Sequence, residues 1–220
     1  MAVTRGLLIS IEGGEGAGKS ALSKALLAHF DVRGLRVRAV REPGGTRIGE
    51  RIREVLLYGR ELSLTPETEA LLFSAARAQL TQEVVRPALY SGTHVVADRF
   101  FDSTLAYQGY GHGVDLDRLR AMTRLAVGEL VPDITFLLDL SVEQARSRTG
   151  KRAPTWDRFE SRDEDFHERV RQGYLRLARE EPKRWIVLDA SMPETKLAQL
   201  VAARVDEELA RHSNRIPTRQ

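Results

Sequence analysis

Short, nearly unbroken apolar runs punctuate the chain at Leu7 to Ile11, Leu35 to Val40, His94 to Ala97, Ile134 to Leu140 and Trp185 to Leu188. The stretches between them are longer and carry apolar residues at helical spacing, as from Ala21 to Phe30. This alternation predicts an α/β fold, a five-stranded parallel sheet with helices on both faces. Runs such as Ile-Thr-Phe-Leu-Leu-Asp-Leu at 134–140 have little polar alternation, the pattern of strands buried on both sides. Residues 1–212 are expected to form one domain, followed by a frayed tail over 213–220.

One segment departs from the pattern. Between Arg146 and Glu160 the chain is strongly basic, carries Gly150 and Pro154, and separates two helical stretches. It reads as a mobile loop or lid.

Composition narrows the class. Hydrophobic residues make up 42% and charged residues 30% of 220, an ordinary globular balance. No apolar run is long enough to cross a bilayer. An early strand-like run without a small-residue cleavage site argues against a secretory signal, so a cytoplasmic protein is expected. The absence of cysteine excludes disulfides, thiolate metal sites and cysteine nucleophiles. The five histidines show no metal-ligand spacing. Arginine supplies 29 of the 34 basic residues, with a net charge of +3. Because basic and acidic residues are interleaved, nucleic-acid binding is not expected, and the arginines suit phosphate groups on small ligands.

The chemistry concentrates after the first strand. Gly13-Gly14-Glu15-Gly16-Ala17-Gly18-Lys19-Ser20 satisfies the G-x-x-x-x-G-K-[ST] pattern and opens a helix, the required strand–loop–helix setting of a phosphate-binding P-loop. Glycines let successive backbone N–H groups point at a phosphate, and the helix N-terminus adds partial positive charge. Lys19 is suited to the β- and γ-phosphates, and the Ser20 hydroxyl to Mg²⁺. The fold class is thus a three-layer P-loop NTPase. A P-loop alone leaves GTPases, ATPase switches and small-molecule kinases open. Guanine-recognition and ABC-type signatures are missing from the chain, which favours a kinase over a nucleotide-switched scaffold. The third strand ends in Asp98-Arg99, at the edge where open α/β sheets bind ligands. Asp98 is placed to hold a metal-bound water or orient an acceptor, and Arg99 to pair with phosphate oxygens. A surface salt bridge is the alternative.

The P-loop, Arg41-Glu42-Pro43-Gly44-Gly45-Thr46, Asp98-Arg99-Phe100 with Ser103-Thr104, and Ala106-Tyr107-Gln108-Gly109 together resemble the bacterial thymidylate kinase family, over nearly the whole chain. The resemblance implies transfer of the ATP γ-phosphoryl group to dTMP with Mg²⁺, in a homodimer, without nucleic acid or membrane. It implies that Phe73 stacks on the thymine ring and that Arg77, one turn later, bonds a base carbonyl. Without the resemblance, Phe73 reads as helix core. Gln108 is implied at the pyrimidine N3 edge, Thr104 beside the base, and Tyr107 against the sugar where a ribose 2′-hydroxyl would protrude. Glu15 is implied near the acceptor sugar and phosphate, with Arg53 and Arg99 on the acceptor phosphate. With Gly16 small and the lid rich in arginine, the chain resembles the members that supply arginines from the lid. Of Arg146, Arg148, Arg152 and Arg158, the resemblance points to Arg148 and Arg152 for the transferring phosphoryl group. The kinase rivals are enzymes acting on another nucleotide or a deoxynucleoside.

Overall fold

The computed structural model describes residues 5–59, 61–149, 159 and 162–214. Five strands, β1 (Leu8–Gly13), β2 (Val37–Arg41), β3 (His94–Asp98), β4 (Ile134–Asp139) and β5 (Trp185–Asp189), form one parallel sheet in the order β2-β3-β1-β4-β5. Every run predicted from the sequence is a strand, displaced at its ends by no more than two residues.

Alternate residues of the central strands leave on opposite faces, as the pleat requires. Leu7, Ile9 and Ile11 join a core with Val96, Ile134, Phe136 and Leu138, whereas Leu8, Val95, Ala97 and Leu137 enter the other. The first core is closed by α1 (Lys19–Val32) and α9 (Glu194–Asn214). The second is closed by α3 (Pro66–Leu80), α4 (Arg86–Tyr90), α6 (Leu116–Val127) and α8 (Glu164–Glu180). The remaining described α-helices are α2 (Arg47–Arg53), α5 (Phe101–Thr104) and α7 (Val142–Thr149).

Two expectations need adjustment. Burial on both faces holds for β1, β3 and β4 but not for the sheet edges β2 and β5, which leave Arg38, Ala39 and Arg41, and Val187 and Asp189, exposed. Helix α9 continues to Asn214, two residues into the stretch assigned to the tail. The ring of His212 lies 2.7 Å from the Arg5 carbonyl oxygen.

Local chemistry sets the helix starts. Thr46, Thr65, Asp115 and Asp163 each accept a backbone N–H with the side chain, at Gly49, Thr68, Arg118 and Phe166, and Pro66 adds a fixed φ after Thr65. Helical periodicity did not reveal three π-helical stretches, Glu54–Tyr58, Thr81–Val85 and Leu105–Gly111. Such widened turns recur at functional sites, and the last of these carries Tyr107 and Gln108.

A buried ion pair ties α5 to the start of β5. Arg184 donates to both oxygens of Asp102, at 2.7 and 3.0 Å, and to the Thr135 hydroxyl at 2.8 Å. Asp102 is fully buried. Burial lifts its carboxyl to about 6 against the pull of Arg184. Replacing Arg184 with Met strands that carboxylate, and urea unfolding should show a loss of about 3–5 kcal/mol. The deficit should be smaller at pH 5 than at pH 8, because protonation of Asp102 removes the uncompensated charge.

Candidate active site

The loop after β1 is shaped by its glycines. Gly13 has φ 140, and a Cβ there would sit 2.6 Å from the Leu138 carbonyl oxygen. Gly18, at φ 93, caps α1 in the left-handed region. Lys19 is the first residue of α1, and its ammonium donates to the carbonyls of Gly13 and Gly14 at 3.2 and 2.8 Å. Burial, then the nearby Arg99, lowers its pKa from the ordinary lysine value.

Strands β1 and β3 are neighbours, with Ile11 in register with Asp98, so the end of β3 stands beside the loop. The Ser20 hydroxyl donates to Asp98 Oδ2 at 3.1 Å. These are hard oxygen donors of the kind that hold Mg²⁺ together with phosphate oxygens and water, and the pair fits that cation.

Arg99 follows with φ 70, the left-handed region, and is the one described non-glycine residue there. That conformation costs about 1–2 kcal/mol for an L-residue with a Cβ. It turns the guanidinium inward. Nη1 donates to the Gly13 carbonyl (3.0 Å), Tyr174 (3.1 Å) and Ser103 (3.3 Å), and Nη2 to Glu15 (2.5 Å) and Tyr107 (3.0 Å). The Tyr107 hydroxyl also donates to Glu15 at 3.0 Å. Burial alone would raise the Glu15 carboxyl, but Arg99, Lys19 and the Tyr107 hydroxyl overcome it and hold it at about 2.

Beyond Arg99 the cleft widens over α3. Phe73 presents its ring beside Phe159 (centroids 5.6 Å apart), and Tyr107 meets the same Phe159 edge-on at 6.0 Å. Arg53 donates to the Pro43 carbonyl at 2.9 Å. Gln108 donates to the buried Glu69 at 3.3 Å. Arg77 lies one layer back, 1% exposed, bonded to Glu42 at 2.7 Å and to Thr104 at 3.0 Å. Its Nη1 and the Glu42 Oε1 are buried without a hydrogen-bond partner among the described residues. Burial, opposed by Arg77, raises Glu42 to about 7.

Glu15, Gly16, Ala17, Gly18, Lys19, Ser20, Arg53, Phe73, Asp98, Arg99, Thr104, Tyr107, Gln108 and Arg148 all line one continuous cleft. Gly13 is tied to the cleft through its carbonyl, which accepts from Lys19 and Arg99, while Gly14 lines a separate small cavity. Arg148 donates to the Ala190 carbonyl at 2.9 Å. Arg146 stands apart from the cleft, paired with Glu164. Arg152 and Arg158 lie outside the described residues.

Behind the cleft wall stand Glu12 and Tyr174, neither of which had a role in the sequence reading. Glu12 is wholly buried and accepts hydrogen bonds from Ser10 (2.8 Å), the Phe100 amide (2.7 Å), Ser103 (2.7 Å) and Tyr174 (3.0 Å). A glutamate closing an apolar strand run was the available signal. Tyr174 reaches this cluster from α8, far along the chain, and left none.

The cleft encloses about 1530 Å³, against roughly 300–1,000 Å³ for a single small-molecule pocket. It has room for two ligands, one on the phosphate loop and one in the aromatic-walled chamber beyond Arg99. A phosphate loop sharing its cleft with an acceptor chamber defines a P-loop phosphotransferase of small molecules. The family model described as thymidylate kinase matches residues 11–201. Curated relatives named thymidylate kinase include those of Thermomicrobium roseum, 47% identical over 92% of this chain and 96% of that protein. Others are from Chlorobaculum tepidum, 46% over 91% and 97%, and Dehalococcoides mccartyi strain BAV1, 45% over 90% and 95%. The chain belongs to the thymidylate kinase family.

The depressed Glu15 carboxyl has a consequence for stability. A carboxylate held below its unfolded value stabilises the fold above pH ~4.3 and loses that contribution as pH falls toward the folded value. The difference in unfolding free energy between the wild type and Glu15→Gln, measured in urea from pH 7 to pH 3, should hold constant above about pH 5. It should shrink progressively below that.

Proposed function

We propose that this chain phosphorylates dTMP to dTDP with ATP, a step in dTTP biosynthesis, in the cleft at the carboxyl edge of the sheet. The observation that carries the reading is the single cleft joining the Lys19–Ser20 phosphate loop to the chamber of Arg99, Tyr107, Phe73 and Gln108. In this reading residues 1–212 act as one kinase domain with a lid at about 146–160, in the cytoplasm. No described helix is long and apolar enough to cross a membrane.

An acceptor phosphate is already an anion near neutral pH, so the catalytic task is positioning and charge neutralisation rather than base catalysis. Lys19 and the loop amides from Gly13 to Ser20 hold the donor phosphates. Ser20 and Asp98 hold Mg²⁺, which when bound neutralises charge on the donor's oxygens. Arg99 and Arg53 bring the acceptor phosphate against the donor despite their mutual repulsion. Glu15 orients the acceptor through its bonds to Arg99 and Tyr107. Phe73 stacks on the base, Gln108 and Thr104 bond its edge, and the unpaired Nη1 of Arg77 is the donor left for a base carbonyl. Tyr107 occupies the space that a ribose 2′-hydroxyl would need. Arg148 and Arg152 stabilise the transferring group from the lid side, excluding water as the lid closes.

A homodimer fits the exposed apolar side chains of three packed helices. Ile48 on α2, Leu71 on α3 and Leu125 on α6 are 53%, 60% and 88% exposed, and α3 packs against both other helices. Sedimentation velocity should find wild-type dimer and Leu71→Glu monomer.

The acceptor is tested by ADP release across dTMP, dUMP, dCMP, dGMP and AMP. dTMP should be preferred, and preference for a base other than thymine overturns the base-site assignments. ATP hydrolysis at full rate without any acceptor would instead favour a nucleotide-driven switch. Lys19→Ala should lower kcat about a hundredfold or more, with an unchanged unfolding midpoint.

A further inference from the structure

The cluster behind Arg99 has a defined hydrogen-bond polarity. Both oxygens of the buried Glu12 accept two bonds each: Oε1 from Ser10 and the Phe100 amide, Oε2 from Ser103 and Tyr174. A carboxylate in this setting only accepts and is the stronger acceptor, so it draws the hydroxyl protons of Ser103 and Tyr174, which also lie 2.8 Å from one another, away from Arg99. Their lone pairs are therefore left to face outward. What they face is Arg99 Nη1, at 3.3 and 3.1 Å. Glu12 never touches the guanidinium directly, yet it sets the polarity of two of that group's partners.

Glu12 also fixes the backbone at the same place. The Phe100 amide that it holds at 2.7 Å is the peptide directly after Arg99, whose φ of 70 no other described non-glycine residue shares. On the other side of Arg99, its own amide donates to the Ile11 carbonyl, one residue before Glu12, at 3.1 Å. Main chain and side chain of Arg99 are thus both referred to the end of β1. The Ser10 hydroxyl holds the carboxylate from the strand itself.

We propose that Glu12 is a positioning residue for the reaction: through the Phe100 amide and the Ser103 and Tyr174 hydroxyls it holds Arg99 in the orientation that receives the acceptor phosphate. The inference rests on the reading of Arg99 as an acceptor-phosphate ligand. It gives Glu12 a larger effect on the acceptor than on the donor, because its hydrogen bonds go to the surroundings of Arg99, whereas Lys19 feels only its charge, as the last of the influences on that ammonium.

The test is the isosteric Glu12→Gln. With its carbonyl kept on the Phe100 amide, the new –NH₂ faces Ser103 and Tyr174 as a donor and turns their protons away, toward Arg99. Calorimetric titration should show the dTMP Kd weakened about tenfold, the effect of loosening one charge-assisted hydrogen bond, with the ATP Kd within about twofold of wild type. KM for dTMP should rise in parallel. An unchanged dTMP affinity in folded Glu12→Gln overturns the proposal. So does equal weakening of ATP and dTMP, which signifies a structural role alone. If Glu12→Gln does not fold, Tyr174→Phe carries the test: it removes one bridging hydroxyl, and should weaken dTMP about threefold and ATP not at all. Unchanged dTMP binding there overturns the proposal too. Arg99→Lys, measured alongside, separates the two levels. If it leaves dTMP binding intact, the acceptor-site reading fails and the positioning role with it. If it weakens dTMP while the Glu12 variant does not, only the positioning role fails.

Discussion

The guanidinium of Arg99 is the point at which three parts of the molecule are tied together. Glu15 and the Gly13 carbonyl belong to the phosphate loop, Tyr107 and Ser103 to the segment after β3, and Tyr174 to α8. Five donors in a planar fork make such a junction possible, and a lysine ammonium has neither the number nor the geometry. The left-handed backbone at Arg99 is sustained because amides on both sides of it are anchored to β1 and its glutamate. Loosening that turn would disturb the loop, the acceptor chamber and the seat of α8 at once.

Charge explains why so much of the site is internally paired. Two anionic reactants call for concentrated positive charge, and Lys19 shows what that costs: burial first, and then the nearby Arg99, lower its pKa. Glu15 answers with a pKa held down to about 2, against burial, by the combined pull of Arg99 and Lys19. Glu42 behaves in the opposite way at the far end of the cleft, where burial outweighs one arginine and raises it to about 7. The two carboxyls differ because one is surrounded by several cations, whereas the other is buried beside a single arginine with Glu12 and Asp102 adding negative charge.

The strands and the phosphate loop were legible because each leaves a local trace, the strands in apolar runs and the loop in a fixed spacing that ends in Lys19 and Ser20. Asp98 and Arg99 could be read from their place at a strand end. The edge character of β2 and β5 was not, since strand order is a property of the whole sheet. Glu12 and Tyr174 escaped for the same reason: they act across 162 positions of sequence, and a hydrogen bond between distant residues imprints no period on either neighbourhood. The resemblance reached Arg77, but not that it sits behind Thr104 with Glu42 as its buried partner. Arg152 and Arg158 belong to a stretch outside the described residues.

The span of those bonds bears on how the protein comes into being. Glu15 to Tyr107, Arg99 to Tyr174 and Glu12 to Tyr174 close chain segments of 92, 75 and 162 positions. Closure entropy must be met before such contacts return anything, so the cage around Arg99 is a late event in folding. During synthesis the phosphate loop emerges before β2 to β5, and Tyr174 only after four of the five strands. A ribosome-bound chain stalled short of α8 therefore displays the loop without the cage that joins it to the acceptor chamber. Competence to bring two nucleotides together is in this sense acquired only once α8 has been made.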